Sequence, residues 1–328
     1  MKYRKLGKSN IKVSEIGFGA WIIGLDWWGK KIDDEEGIKM LKKAYDLGIT
    51  FYDTADIYGR GRSEKLIAKA FNGMRNDIIL STKFGYDIYS DIEQIGHNEL
   101  PQKFTPKFTR YALEQSLSRL GTDYVDLYSL HNPKMEHIWS DDVFRTLNEL
   151  MEEGKIKHYG AALGPAIGWK EEGILAMQKQ NVTALQTVYN ILEQNPARDF
   201  FPVAREMDVG VMVRVPDASG ILTGKVDTNT VMNKDDHRSH RKREWIEEAM
   251  KKVENLKPFA ESKGWSILEL AVKFILSEKS MSVVLPTVTS VEELETFTTI
   301  SDGNYLNESE FEEVKEMYNN NFYVQISN

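Results

Sequence analysis

Cysteine is absent from all 328 residues, which excludes disulfides, thiolate metal sites and a cysteine nucleophile and fits a reducing compartment. Positive charge is also in short supply. The 42 Lys and Arg are outnumbered by 50 Asp and Glu, for a net charge of −8, so nucleic acid would find no general attraction. Long apolar runs are missing as well: the longest, Ile16–Leu25, is interrupted by glycines and is too short to span a bilayer. The opening MKYRKLGKSN has neither an apolar core nor a small-residue cleavage site, so no secretory leader is expected. Prolines number only 9, and no Pro/Ser-rich linker divides the sequence. These absences predict a cytoplasmic protein with no membrane or nucleic-acid partner, acting on a small molecule. Oligomeric state stays open, because no apolar helix face stands out beyond the core-facing ones.

What is present is a globular composition, 41% hydrophobic and 28% charged, arranged in a regular alternation. Eight β-rich runs read as strands at 14–19, 49–54, 77–83, 126–131, 156–162, 184–189, 210–215 and 282–287. Helical patterns fall between them at 34–48, 105–120, 141–153, 244–262 and 290–299. In the first, Ile38, Leu41, Ala44 and Leu47 form one face and Gly48 follows as a cap. Strand and helix in alternation, with no linker, predict one domain over 1–328: an α/β fold, a (β/α)8 TIM barrel. Two short alternating runs joined at GKSN add an N-terminal β-hairpin. The segments at 84–104 and 216–240 are too long for connectors and predict long loops after strands 3 and 7, on the catalytic face. Ser63, ahead of EKLIAKAF, reads as a helix N-cap.

Active sites of such barrels lie at the C-terminal strand ends. Asp53 ends the second strand, Tyr58 lies in the loop beyond it, Lys83 ends the third and His131 the fourth. Each alone has an ordinary structural reading as a turn, a solvated strand end or a packing residue. Their conjunction on successive strand tips points to a proton-handling site, since a cation held by a carboxylate beside a phenol stabilises the phenolate and favours proton donation near neutral pH. No Gly-x-Gly-x-x-Gly follows a strand, so a Rossmann fingerprint is absent. The other histidines, among them His97, His137 and His158, show no ligand spacing with acids, and no metal is expected. Trp21, Trp27 and Trp28 follow the first strand, where core and pocket-wall readings stand side by side.

The stretches YRKLGKSNIKVSEIGFGAW, GITFYDTADIYGRGRSE, LGTDYVDLYSLHNP, GVMVRVPDASGILTGK and VVLPTVTSVEELETF, in this order, resemble the aldo-keto reductase family over nearly the whole chain. The resemblance implies a barrel that binds an extended nicotinamide dinucleotide without a Rossmann domain, with Asp53, Tyr58, Lys83 and His131 as catalytic tetrad. It implies reduction of a small aldehyde, sugar or ketone to an alcohol, by hydride transfer with Tyr58 as general acid, Lys83 and Asp53 tuning it and His131 orienting the carbonyl. It places Gly19, Ala20 and Trp21, then Pro216, Leu222 and Lys225, along the cofactor. Trp21, Trp27, Trp28, Phe84 and Asn132 are the expected substrate pocket.

Departures from the family pattern concern the cofactor. Ala162 and Leu163 stand where a Ser-Asn pair commonly holds the carboxamide, while Gln186 still matches the other carboxamide contact. Arg214 replaces the aromatic that stacks on the nicotinamide, with a planar guanidinium suited to stacking or to a phosphate. Near the 2′ position the chain offers Thr287, Thr289 and Glu293, and a carboxylate there prefers a ribose hydroxyl. The basic run at 237–243 supplies Arg238 and Arg241 as alternative phosphate ligands. Family habit puts NADP(H) first and NAD(H) close behind. Two rival readings are a cofactor-binding regulatory subunit of the same type with little turnover, and a phosphate-binding isomerase or lyase barrel, for which DASGILTG is a poor phosphate grip.

Overall fold

The computed structural model describes residues 1–92, 98–164 and 169–324. Strands β1 (Tyr3–Lys5) and β2 (Lys12–Ser14) form the expected antiparallel hairpin, with Tyr3 opposite Ser14. Eight strands follow: β3 (Phe18–Gly19), β4 (Phe51–Asp53), β5 (Ile79–Phe84), β6 (Val125–His131), β7 (Ile156–Ala162), β8 (Ala184–Val188), β9 (Gly210–Arg214) and β10 (Met281–Leu285). Each pairs in parallel with its chain neighbour from β3 to β10. A parallel bridge between Ile16 and Val284 joins the last strand to the approach of the first. Around it the Gly17 amide donates to the Val284 carbonyl at 2.9 Å and the Val284 amide to that of Glu15 at 2.7 Å. The ring is thereby the expected (β/α)8 barrel.

Helices form where caps and apolar spacing called for them. Thr105 caps Pro106–Leu120 by accepting from the Phe108 amide, and Ser290 caps Val291–Ile300 by accepting from that of Glu293. In Asp34–Asp46 the buried stripe is Gly37, Met40, Leu41 and Ala44, with Ile38 and Leu47 only half-buried. The buried face is thus rotated slightly from the expected one, with Gly37 turned toward Ile23 and Leu66. Ser63 is not an N-cap. Arg62–Ala70 begins after Gly61, whose φ of 88° a side chain would strain, and the Ser63 hydroxyl instead donates to the Ala20 carbonyl at 2.9 Å and accepts from Thr54 Oγ1 at 2.8 Å. That serine ties the β3 and β4 tips together.

Two-residue alternation sorts the strands into two cores. Phe51, Leu127, Ala184, Met212, Val283 and Leu285 point inward and pack with Leu6 and Val13 of the hairpin. Tyr52, Tyr128, Leu185, Val211 and Val213 point outward into the larger layer beneath the helices. The hairpin closes one end of the barrel: a Cβ on Gly7 (φ 50°) would lie 2.4 Å from the Gly210 nitrogen and 2.5 Å from the Thr183 carbonyl. Only glycine fits that approach. At the other end the same parity brings Asp53, Lys83, His131, Gln186 and Arg214 to the inner face. Both long loops are present: 84–104 folds back through a Tyr86–Gln102 bridge, with 93–97 outside the described residues, and 216–240 contains the short helical turns Ile221–Thr223 and His237–His240.

Candidate active site

Strand parity and register decide what meets at the open end. Asp53 stands opposite Ser81, Lys83 opposite Ser129, and His131 opposite Ala162, which in turn stands opposite Gln186. Tyr58 comes from the loop after β4, seated against Gly24, where a Cβ would approach the Tyr58 Cβ to 2.8 Å. The Lys83 ammonium donates to Asp53 Oδ2 at 2.6 Å, to the Thr54 carbonyl at 2.7 Å and to the Tyr58 hydroxyl at 3.4 Å. Asp53 also accepts from Ser81 Oγ at 2.9 Å and Gln186 Nε2 at 3.1 Å. Burial opposes the Lys83 charge, but the Asp53 carboxylate and Tyr58 outweigh it and raise the ammonium above its ordinary value. This lysine stays charged.

His131 takes the opposite course. Burial, then the Lys83 and Arg214 cations, hold its imidazole well below the ordinary histidine value, so the ring is neutral. It lies edge-on to Tyr58 with centroids 5.8 Å apart and to Tyr86 at 5.2 Å. Its Nδ1 is buried without a hydrogen-bond partner among the described residues. Gln102 fixes the β6 tip by donating to the His131 and Asn132 carbonyls at 3.0 and 2.9 Å.

These groups open on a cavity of about 250 Å³. Trp21, Trp27 and Trp28 wall one side, Trp21 meeting Trp28 edge-on at 5.5 Å; Trp28, 8% exposed, is also part of the hydrophobic core and Trp21 packs against it, so for these two both sequence readings hold. The opposite side is Tyr86, Glu99 and Asn132: the Tyr86 hydroxyl donates to Glu99 Oε1 at 2.9 Å and accepts from Asn132 Nδ2 at 2.8 Å. Gly19, Gln186, Arg214 and Thr287 complete the inner wall. Tyr86, Glu99 and His237 were not among the expected site residues; all three sit inside the two segments too long for connectors, and His237 also opens the basic run at 237–243. Phe84, expected in the pocket, is not there. It is one residue past Lys83, faces outward by parity, and stacks on Tyr128 at 4.5 Å with no exposed surface.

The remaining expected cofactor residues lie around the cavity rather than on its wall. Ala20, Pro216 and Leu222 are buried. The segment after β9 crosses to the tryptophan loop, where the His237 amide donates to the Trp27 carbonyl at 2.6 Å. Its three expected phosphate ligands are all paired. Arg238 meets Asp236 at 2.6 Å and covers the Trp28 ring at 4.9 Å; Arg241 grips both oxygens of Glu193 at 2.7 and 2.9 Å; Lys225 pairs with Glu293, which also accepts from the Thr289 hydroxyl at 3.1 Å. Arg214 differs, with one hydrogen bond among the described residues, Nη2 to the Leu163 carbonyl at 2.8 Å.

Two buried acids near the site escaped sequence reading. Burial raises Asp217, directly after Pro216, to about 6, with Glu293 adding to the shift and backbone donors and Arg238 opposing it. Asp56, two residues before Tyr58, is fully buried beside Glu64 and is pushed well above the carboxylate range, first by burial and then by Glu64, with Arg119 opposing. Among the described residues no cluster of three His, Cys, Asp or Glu could hold a metal, and no helix is long and apolar enough to cross a membrane. His97 lies outside the described residues.

A model described as the aldo/keto reductase family matches residues 15–319. The chain is 30% identical to the aldo-keto reductase YhdN of Bacillus subtilis (strain 168), covering 87% of this chain and 84% of the relative. It is 28% identical to the NADH-specific methylglyoxal reductase of Escherichia coli (strain K12), covering 90% and 91%. Among solved structures, the holo form of aldo-keto reductase AKR11C1 from Bacillus halodurans matches with a TM-score of 0.79 at 27% identity, covering 97% of this chain and 96% of that one.

Proposed function

Since the chain belongs to the aldo/keto reductase family, we propose that it reduces the carbonyl group of small aldehydes and ketones with a reduced nicotinamide dinucleotide, Tyr58 donating the proton. The observation that carries this reading is the Lys83 ammonium, locked by Asp53 at 2.6 Å and reaching the Tyr58 hydroxyl at 3.4 Å, directly behind the Asp53 and Tyr58 wall of a cavity that three tryptophans share. The cavity suits a flat, amide-bearing ring: Trp21 and the planar Arg214 offer faces, and Gln186 and Thr287 offer polar contacts. When bound, that ring supplies the hydride. The chain's own residues do the rest. Tyr58 protonates the developing alkoxide, Lys83 stabilises the phenolate left behind, and neutral His131 bonds the carbonyl oxygen without competing as an acid. Tryptophans 21, 27 and 28 exclude water from the reacting atoms.

The pairing of Lys225, Arg238 and Arg241 shifts the cofactor reading from NADP(H), which the family habit favours, toward NAD(H). A 2′-phosphate would have to displace Glu293, Asp236 or Glu193 from one of these cations, whereas a ribose hydroxyl can donate to Glu293 as it stands. The relative named as an NADH-specific methylglyoxal reductase supports the same preference and makes 2-oxoaldehydes the first substrates to assay. Tyr58→Phe should lower kcat for methylglyoxal reduction by roughly 10²–10⁴-fold with NADH binding intact. Unchanged turnover in that variant would remove the role given to Tyr58.

A further inference from the structure

The inner end of the cavity carries an unbalanced positive charge. Asp53 and Lys83 neutralise each other at 2.6 Å, and His131 is held neutral. Arg214, beside them, forms no ion pair among the described residues, and of the five N–H donors of a guanidinium it uses one, on the Leu163 carbonyl. The carboxylate of Glu99 stands on the rim, exposed and bonded to Tyr86, where solvent screens it. Burying a cation without a counter-charge is costly. Burial accordingly pulls the Arg214 guanidinium down from its ordinary value, with Tyr58 and Asp53 opposing. A fold that keeps such a charge at the reaction centre keeps it for what enters there.

A nicotinamide ring enters in one of two charge states: the oxidised ring carries a positive charge and the reduced ring none. We propose that Arg214 is a specificity-determining residue that makes this site discriminate between the two states, binding the reduced dinucleotide and repelling the oxidised one. The inference rests on the nicotinamide-dependent reading above. Its physical basis is confinement: a ring that exchanges hydride with a carbonyl bonded to Tyr58 must occupy the same cavity of about 250 Å³ that Arg214 lines. The charge of Arg214 is already felt at His131, which it helps to hold neutral. Two like charges several ångströms apart, at the effective dielectric of such sites, alter a binding ratio about 10- to 100-fold. The bias has a direction. It holds the reactant of carbonyl reduction and hastens departure of the oxidised product, and it opposes the reverse oxidation of alcohols by the same factor.

The test is a binding measurement that needs no turnover. Quenching of intrinsic tryptophan fluorescence, with Trp21, Trp27 and Trp28 lining the cavity, gives Kd for NADH and NAD⁺ on the wild-type protein, Arg214→Gln and Arg214→Lys. The expected wild-type ratio Kd(NAD⁺)/Kd(NADH) exceeds that of Arg214→Gln by at least about tenfold, most of the change falling on NAD⁺, and Arg214→Lys retains most of the wild-type ratio. A ratio unchanged by the glutamine substitution overturns the inference while leaving the reductase reading in place. So does a wild-type ratio near one, which needs no variant to fold. No binding of either form by the folded wild-type protein overturns both.

Discussion

Replacing Asp53 with Asn is expected to cost more stability than replacing Lys83 with Met, although each breaks the same 2.6 Å ion pair. The asymmetry lies in what each partner keeps. After Lys83→Met the buried Asp53 carboxylate still accepts from Ser81 Oγ and Gln186 Nε2 and retains the nearby Arg214 cation, so the loss is about 1–3 kcal/mol. After Asp53→Asn the Lys83 ammonium, fully buried, keeps only uncharged acceptors, the new amide oxygen, the Thr54 carbonyl and the Tyr58 hydroxyl, with the Arg214 cation nearby, and an uncompensated buried charge costs about 3–5 kcal/mol. Removing both charges should recover part of the loss, with a coupling of about 1–3 kcal/mol relative to the sum of the single variants. The pH dependence supplies a second signature. In the wild-type protein Lys83 lies above its ordinary 10.5, so its contribution is full below that value and lost only as pH rises through the folded-state value. In Asp53→Asn, burial is opposed only by Tyr58 and lowers the lysine, so the unfolded chain binds more protons and stability climbs as pH rises toward about 10. Urea unfolding of the cofactor-free proteins across that range measures all four quantities. Equal losses in the single variants, or strict additivity in the double one, would refute the argument.

Three further outcomes follow from the charges around the cavity. Asp217 lies at about 6 in the fold against an ordinary 3.8, so the folded state holds its proton longer and stability falls as pH rises through that window, by about 3 kcal/mol in all; in Asp217→Asn the slope between about pH 4 and 6 should flatten, and an unchanged slope would count against the buried-acid assignment. Glu293→Gln releases Lys225 and should improve NADPH affinity relative to NADH by about tenfold, measured by fluorescence titration of both. His131 stays neutral, so log kcat/KM should show no imidazole step between about pH 6 and 8; a step there that disappears in His131→Gln would mean the ring titrates after all.

The barrel was legible because its signals are local and repeated. Alternating apolar residues and capped amphipathic helices recur around the ring, and Asp53, Lys83 and His131 sit at strand ends whose parity can be counted. Parity also explains the failure at Phe84: the sequence reading placed it in the loop after 77–83, but it is the last residue of β5, and the odd step from Lys83 turns the ring away from the cavity. Ser63 failed differently, because a left-handed Gly61 starts the helix two residues earlier and leaves the hydroxyl for a bond to Ala20, from another turn of the barrel. Asp56, Glu64 and Asp217 read as ordinary loop and helix acids. Their burial depends on partners supplied from elsewhere, such as Arg119, whose Nε donates to Glu64 at 2.5 Å across two helices, and no local pattern announces that. Glu99 and Tyr86 belong to a segment with no periodicity, where length gave the place and withheld the residues.

The seam at Ile16 and Val284 sets the order in which this molecule can be made. During synthesis β3 finds one neighbour as soon as β4 leaves the ribosome, but its other edge waits for β10, nearly the whole chain later. Until then the growing sheet is an open crescent with two unpaired edges, the kind of species that associates with its own copies. Contacts of such sequence separation also slow folding. The nascent chain therefore passes through a long vulnerable interval that the finished ring conceals, and substitutions along the seam, such as charged residues at Ile16 or Val284, should lower the soluble yield of synthesis far more than the solubility of protein already folded.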